Sequence, residues 1–315
     1  MNDLNPSQRE AVRHLEGPLL VLAGAGSGKT RVITAKIAHL IEQGGVAARH
    51  ITAVTFTNKA AREMKGRVGK LLDAQAGRGL SISTFHTLGL NILRRELKTA
   101  GLRAGFSIFD EQDVEQLLRE LTKKNEADKD TLQRARWQIS AWKNDLIDPD
   151  AAQGSASDDF ESFYAALYGA YQRALRVYNA VDFDDLILLP VSLLRSDPAL
   201  RERWQNRIRY MLVDEYQDTN GAQYELVKLL VGVRGALTVV GDDDQSIYAW
   251  RGARPENLAR LRDDFPHLHV IKLEQNYRST GRILRAANTL IANNEHVFEK
   301  RLWSELGPGE LLRVV

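Results

Sequence analysis

Near the start of the chain, Gly24-Ala25-Gly26-Ser27-Gly28-Lys29-Thr30 has the residue types and order that hold a polyphosphate. The stretch follows the apolar run Leu19–Ala23 and precedes a helix-like run from Arg31 to Ile41. Glycines let backbone N–H groups close around phosphate oxygens, and a helix N-terminus adds a favourable dipole. Lys29 can reach the terminal phosphates and the Thr30 hydroxyl can ligate magnesium, so ATP and Mg2+ are the expected cofactors. The strict pattern opens on glycine where this chain has Ala23. Alanine fits there if its φ is negative. The plain alternative is a glycine-rich turn that binds nothing.

A second constellation lies far along the chain. The apolar run Tyr210-Met211-Leu212-Val213 ends in Asp214-Glu215, which places two carboxylates at the C-terminal end of an expected strand, where open α/β sheets bind ligands. Asp214 is suited to hold hydrated magnesium, and Glu215 to orient and deprotonate an attacking water. Acid pairs after strands also serve as helix N-caps, so this pair takes its meaning from the phosphate loop. Asp182, Asp184 and Asp185 resemble a metal cluster, but an acidic helix N-terminus explains them more simply. His267 and His269 alternate on the approach to an expected strand and lack a third ligand, which argues against zinc.

Positioning these residues requires a sheet. Apolar runs at Leu19–Ala23, Ile51–Phe56, Leu80–Thr84, Tyr210–Val213, Leu237–Gly241 and Val270–Leu273 predict buried parallel strands wrapped by helices, an α/β P-loop fold. Between about His86 and Asp197 the apolar residues fall at helical spacing, as at Val114, Leu117, Leu118 and Leu121, and no strand is evident. That stretch predicts a helical insertion. Within it, the small polar segment Asp148 to Asp159 reads as a mobile surface loop. The expected domains are residues 1–85 plus 197–276, the insertion 86–196, and a further piece 277–315.

Composition narrows the class. With 315 residues, 43% hydrophobic and 27% charged, the chain reads as a globular protein of about two domains. The longest apolar stretch, Pro18 to Ala23, is too short to cross a bilayer, and the N-terminus carries no secretory signature. Cysteine is absent, which excludes disulfides and thiolate metal sites and fits the cytoplasm. The net charge of +2 would not by itself suggest DNA as a partner.

The longer motifs do. Asp214-Glu215-Tyr216-Gln217-Asp218-Thr219-Asn220 and Gly241-Asp242-Asp243-Asp244-Gln245-Ser246-Ile247-Tyr248-Ala249-Trp250-Arg251-Gly252 resemble the UvrD/Rep branch of superfamily 1 DNA helicases. Leu4-Asn5-Pro6-Ser7-Gln8, Thr55-Phe56-Thr57-Asn58-Lys59-Ala60-Ala61, Ser83-Thr84-Phe85-His86 and Gln275-Asn276-Tyr277-Arg278-Ser279-Thr280 match further family motifs in the right order. The resemblance covers essentially the whole chain. It implies two RecA-like domains, the second beginning near Tyr277, and an ATP-driven motor that moves 3′ to 5′ on single-stranded DNA, separates strands at duplex junctions and works with replication or repair proteins.

The resemblance also implies roles. Gln8 would read adenine, Arg31 and Tyr277 would sandwich base and sugar, Gln245 would sense the γ-phosphate, and Arg278 would neutralise its developing charge. Phe56, Tyr248 and Trp250 would stack bases, with Asn58, Lys59, His86 and Arg251 on the DNA backbone. Taken alone, Phe56 and Tyr248 read more readily as core packing, and the resemblance reverses that preference. The family's two later motifs lie outside these residues, so the chain is expected to bind ATP weakly and not to unwind duplex DNA by itself. Two other readings remain open: a non-hydrolytic module binding ATP and single-stranded DNA, and the motor part of a recombination helicase-nuclease.

Overall fold

The structure is a computed structural model that describes residues 3–123, 128–249, 252–294 and 298–313. Eight strands are present among them: β1 (Leu19–Ala23), β2 (Ile51–Thr55), β3 (Ser81–Thr84), β4 (Ser107–Ile108), β5 (Ala180–Val181), β6 (Tyr210–Val213), β7 (Leu237–Gly241) and β8 (His269–Leu273). Six of them form one parallel sheet in the order β3-β2-β6-β7-β1-β8. The four inner strands are near-continuous apolar runs with every residue buried, the pattern of a parallel sheet covered on both faces.

The chain divides into two compact units, residues 1–84, 203–219 and 230–315 forming the first, and 85–202 with 220–229 the second. The first holds the six-stranded sheet. Its core joins Leu19, Val21, Ile33, Ile37, Ile51, Leu212, Val240 and Ile271. Residues 277–315 are packed in this unit. Parallel pairing forces each strand to return by a crossover, so every strand points the same way and all the turns that leave the sheet's carboxyl end gather on one side. The register then sets heights: Leu22 is level with Gly241, Ala23 with Leu273, and Val54 with Val213.

The second unit is mainly helical. The helices Glu111–Leu121, Lys129–Asn144 and Asp159–Tyr178 bury Leu117, Leu118, Leu132, Ile139, Tyr168, Tyr171 and Leu175 in a core of their own. It departs from the sequence expectation in two places. β4 and β5 pair in parallel, Ser107 with Ala180 and Ile108 with Val181, and two residues are too few to leave a periodicity in the sequence. The segment expected as a mobile loop from Asp148 to Asp159 contains the helix Pro149–Ser155. Asp148 caps it by accepting from the Ala151 N–H, Pro149 opens it, and Ala152 is fully buried.

The acidic trio has the plain place foreseen for it, at the start of the helix Asp185–Ser196, and a partner that the sequence did not indicate. The fully buried Lys143 ammonium lies 2.6 Å from Asp182 and 2.9 Å from Asp185. Tyr171 donates its hydroxyl to Asp182 at 2.8 Å. His267 sits in a turn before β8 rather than on it, while His269 meets Glu10 at 3.1 Å and stacks on His14.

Candidate functional site

The phosphate loop leaves β1 at the carboxyl edge of the sheet. Ala23 ends the strand and has no positive φ, so alanine is accommodated where the strict pattern has glycine. Gly26 and Gly28 have φ of 71° and 89°, a left-handed backbone that favours glycine. The loop then runs into the helix Lys29–Glu42, with Gly28 as its N-cap, so the first helical N–H groups of that helix open toward the loop. Ser27 closes the turn by donating its N–H and hydroxyl to the Gly24 carbonyl, at 3.2 and 2.7 Å. Thr30 is half-buried in the first helical turn.

Two other segments fasten this loop. Gln8, only 1% exposed, donates from Nε2 to the Ser27 carbonyl at 2.9 Å, and its Oε1 accepts the Asn5 N–H at 3.1 Å. Its amide thus ties the helix Pro6–Arg13 to the loop and keeps one N–H and one lone pair in reserve. From the other side, Asn276 donates to the Ala25 carbonyl and Tyr277 donates its N–H to the Gly26 carbonyl at 2.9 Å. Asn276 Oδ1 also accepts from the N–H groups of Arg278 and Ser279, which turns the chain so that Arg278 stands beside Gly26. Tyr277 is exposed, and its hydroxyl meets Asn5 and Gln275, each at 2.9 Å. Arg31 is exposed and pairs with Asp3 at 3.4 Å.

At the centre is Lys29. Its ammonium lies 3.1 Å from Glu215 Oε2 and 3.1 Å from Gln245 Oε1, which brings together three residues from the loops after β1, β6 and β7. Glu215 reaches that place through a left-handed backbone, φ 50°, unusual for a residue with a side chain. Beside it, burial and then the Glu215 carboxylate push the Asp214 carboxyl up to about 7. Asp218 is pushed up to about 6 by the same two causes, and its Oδ1 is buried without a hydrogen-bond partner. The Lys29 ammonium offsets part of this for both carboxyls, and a divalent ion beside them would relieve the remaining burial and repulsion. The donor set therefore fits a polyphosphate with magnesium: a glycine loop, one mobile ammonium, and carboxyls at the adjoining strand end.

On the loop after β2, Phe56 is half-buried and lies parallel to Tyr248, the ring centroids 6.2 Å apart at 8°. Asn58 and Lys59 are exposed in the first turn of the helix Asn58–Val68, which Thr57 caps by accepting the Ala60 N–H. His86 belongs to the second unit, as the second residue of the helix Phe85–Arg95 that continues from β3. Burial lowers its pKa from the ordinary histidine value. Trp250 and Arg251 lie outside the described residues.

Residues 4–266 match the model of the UvrD/REP helicase N-terminal domain. The chain belongs to that family. It is 64% identical over 313 residues to the ATP-dependent DNA helicase Rep of Escherichia coli, covering 99% of this chain and 46% of that protein. The Rep helicase of Salmonella typhimurium is 63% identical over the same length. The PcrA helicase of Leuconostoc citreum is 46% identical over 313 residues, covering 98% of this chain and 42% of that protein. The chain thus spans less than half the length of these relatives.

In this UvrD/REP helicase N-terminal domain, three neighbours of the site carried no role in the sequence reading. Gln217 donates from Nε2 to Glu215 Oε2 at 3.0 Å and accepts the Asp242 N–H at 3.0 Å, so it sets the Glu215 carboxylate and ties it to the loop after β7. It sits two residues past Glu215 in the same motif, a signal that was visible. Asn276, the clamp on the phosphate loop, likewise lies inside a recognised motif. Lys300 packs against Asp242, Asp243 and Asp244, and nothing in its local sequence pointed to it. No helix among the described residues is long and apolar enough to cross a membrane.

Proposed function

We propose that the chain is the ATP-binding front part of a DNA helicase that couples ATP hydrolysis to 3′-to-5′ movement along single-stranded DNA. The observation that carries the reading is the meeting of Lys29, Glu215 and Gln245 at the carboxyl end of the sheet, beside a glycine loop opening a helix. The loop from Gly24 to Gly28 wraps the phosphates, and Lys29 exchanges its protein oxygens for those of the terminal phosphate. Thr30 and Asp214 would hold magnesium, whose charge would supply electrostatic stabilisation of the phosphates. Glu215 orients the attacking water and takes its proton, with Gln217 fixing its direction. Gln245 reads the terminal phosphate and Arg278 neutralises charge growing on it. Gln8 offers its remaining amide valences to adenine, next to Tyr277 and Arg31.

Single-stranded DNA lies on Phe56, Tyr248 and Trp250, with Asn58, Lys59, His86 and Arg251 on its backbone. The near-parallel rings of Phe56 and Tyr248 support this, because each offers a flat face to a base, although their 6.2 Å separation is short of the about 7 Å that a base inserted between them needs. The relatives named ATP-dependent DNA helicases support action on DNA, and in the same proposal the chain works at junctions of single and double strands alongside replication or repair proteins. Residues from Tyr277 onward begin a second RecA-like domain in this reading, and the helical unit is an insertion in the first.

Replacing Glu215 with glutamine tests the proposal, since it keeps the shape and removes the base. MgATP affinity is expected to stay within about threefold of the parent, while phosphate release stimulated by single-stranded DNA falls by roughly 100-fold or more. Undiminished turnover in Glu215→Gln would remove Glu215 from the chemistry. DNA-independent binding with no turnover in the parent would favour a non-hydrolytic binding module.

A further inference from the structure

Lys300 is buried in the same unit as the nucleotide site, and its surroundings reach that site. Its ammonium lies 2.6 Å from Asp242, 2.7 Å from Asp243 and 2.6 Å from Asp244, with its side chain only 4% exposed. Three carboxylates with donor atoms this close have the spacing of a cation site, and the Lys300 ammonium is the cation that fills it. Burial works against the charged ammonium, but the three carboxylates outweigh it and hold the group above the ordinary lysine value.

The contacts continue inward. Asp242 takes Lys300 on Oδ1, and its Oδ2 accepts from Gln245 Nε2. Gln245 Oε1 then accepts from Lys29, which also holds Glu215. The amide has only one orientation in this line, because a carboxylate offers no donor and an ammonium no acceptor. Asp242 therefore helps decide which way Gln245 faces, and Lys300 makes an ionic contact that helps hold Asp242, beside the Asp244 N–H at 3.3 Å and Gln217 at 3.0 Å.

The strap that carries Lys300 is fastened on both sides. Phe298 is buried under the Arg262 guanidinium, 4.4 Å from the ring centroid. Leu302 packs on Gly24 of the phosphate loop. Trp303 donates its N–H to the Glu274 carbonyl at 3.0 Å, and its own carbonyl accepts the Asn276 N–H at 2.7 Å. One short strap thus touches the start of the phosphate loop, the clamp at Asn276 and the acidic triad.

We propose that Lys300 is a positioning residue of the nucleotide site: by neutralising Asp242, Asp243 and Asp244 and pinning Asp242, it holds Gln245 in the orientation that meets a terminal phosphate. The inference rests on the ATP site proposed above. Without Lys300, three carboxylates crowd one another next to an incoming polyanion, and Asp242 Oδ1 keeps only the longer contact from the Asp244 N–H at 3.3 Å. The loss should fall on the nucleotide that carries a third phosphate.

The test is fluorescence titration of the chain with labelled MgATP and MgADP, comparing the parent with Lys300→Met, Lys300→Arg, Gln245→Ala and the double variant Lys300→Met/Gln245→Ala. Lys300→Met is expected to reduce the preference for ATP over ADP about tenfold, the scale of one hydrogen bond to a charged group, with MgADP affinity within about twofold of the parent. Lys300→Arg should restore most of the preference. The double variant should be no worse than Gln245→Ala alone, because both changes remove the same contact. An unchanged preference in Lys300→Met, fully additive losses, or equal losses for ATP and ADP with a lowered unfolding temperature would each overturn the proposal. Lys29→Ala separates the two levels. If it binds MgATP like the parent, the nucleotide site itself is misassigned and this inference falls with it; if it binds weakly while Lys300→Met behaves like the parent, only this inference fails.

Discussion

Phe56 is half-buried, and a half-buried ring can serve the core or a ligand. Its parallel partner Tyr248 favours the ligand, and the two roles separate in the laboratory. Phe56→Ala is expected to weaken binding of an unstructured oligothymidine by about 1–3 kcal/mol, the contribution of one stacked base. The thermal unfolding midpoint should move little. A large loss of stability with unchanged DNA affinity would return Phe56 to the core. Lys29 and Glu215 could be nominated from sequence because their chemistry demands particular types next to turns at strand ends, and Gln245 because the motif around it resembles the family's. Lys300 could not, since a lone lysine in an unpatterned stretch looks like any solvated one.

Among the elements, the strands of the large sheet were legible because buried parallel strands are continuous apolar runs, and their bounds agree with the expected ones to within a residue. β4 and β5 were not, being two residues each. The helix Pro149–Ser155 was hidden by composition, because alanine, glycine and serine on a short helix read as linker while one buried alanine decides the matter. The helix Lys29–Glu42 carries a further oddity at Lys36, whose buried ammonium donates to the Ala11 carbonyl at 2.8 Å and to that of His14, at the C-terminal end of the helix Pro6–Arg13. Burial pushes Lys36 from 10.5 down to about 7. Between those values the unfolded chain holds a proton that the folded chain lacks, so stability rises as pH climbs from about 7 toward about 10 and is flat in this term below about 7. Lys36→Met removes the dependence. Urea unfolding at pH 7 and pH 9 should show the parent gaining on Lys36→Met by about 1 kcal/mol per pH unit, while equal slopes would mean that Lys36 keeps its charge. Tyr210 titrates in both variants and largely cancels, while His14 and His39, each lowered by burial and in part by Lys36, titrate below this pH window.

Over the whole molecule, the polypeptide between β3 and β6 folds mainly into the second compact unit. The sequence could not reveal that residues 220–229 join the second unit, because their assignment depends on packing rather than pattern. What unites the scales is one edge of one sheet. The loops after β1, β6 and β7 bring Lys29, Glu215 and Gln245 into contact, and the rest of the functional account depends on a polyphosphate entering there. Calorimetric titration of the chain with MgATP, beside Lys29→Ala, measures this most directly. The parent should bind one nucleotide, and Lys29→Ala, still folded by its unfolding midpoint, should bind at least about tenfold more weakly, because no neighbouring side chain replaces the ammonium over the phosphates. Equal affinity in the two proteins would contradict the account.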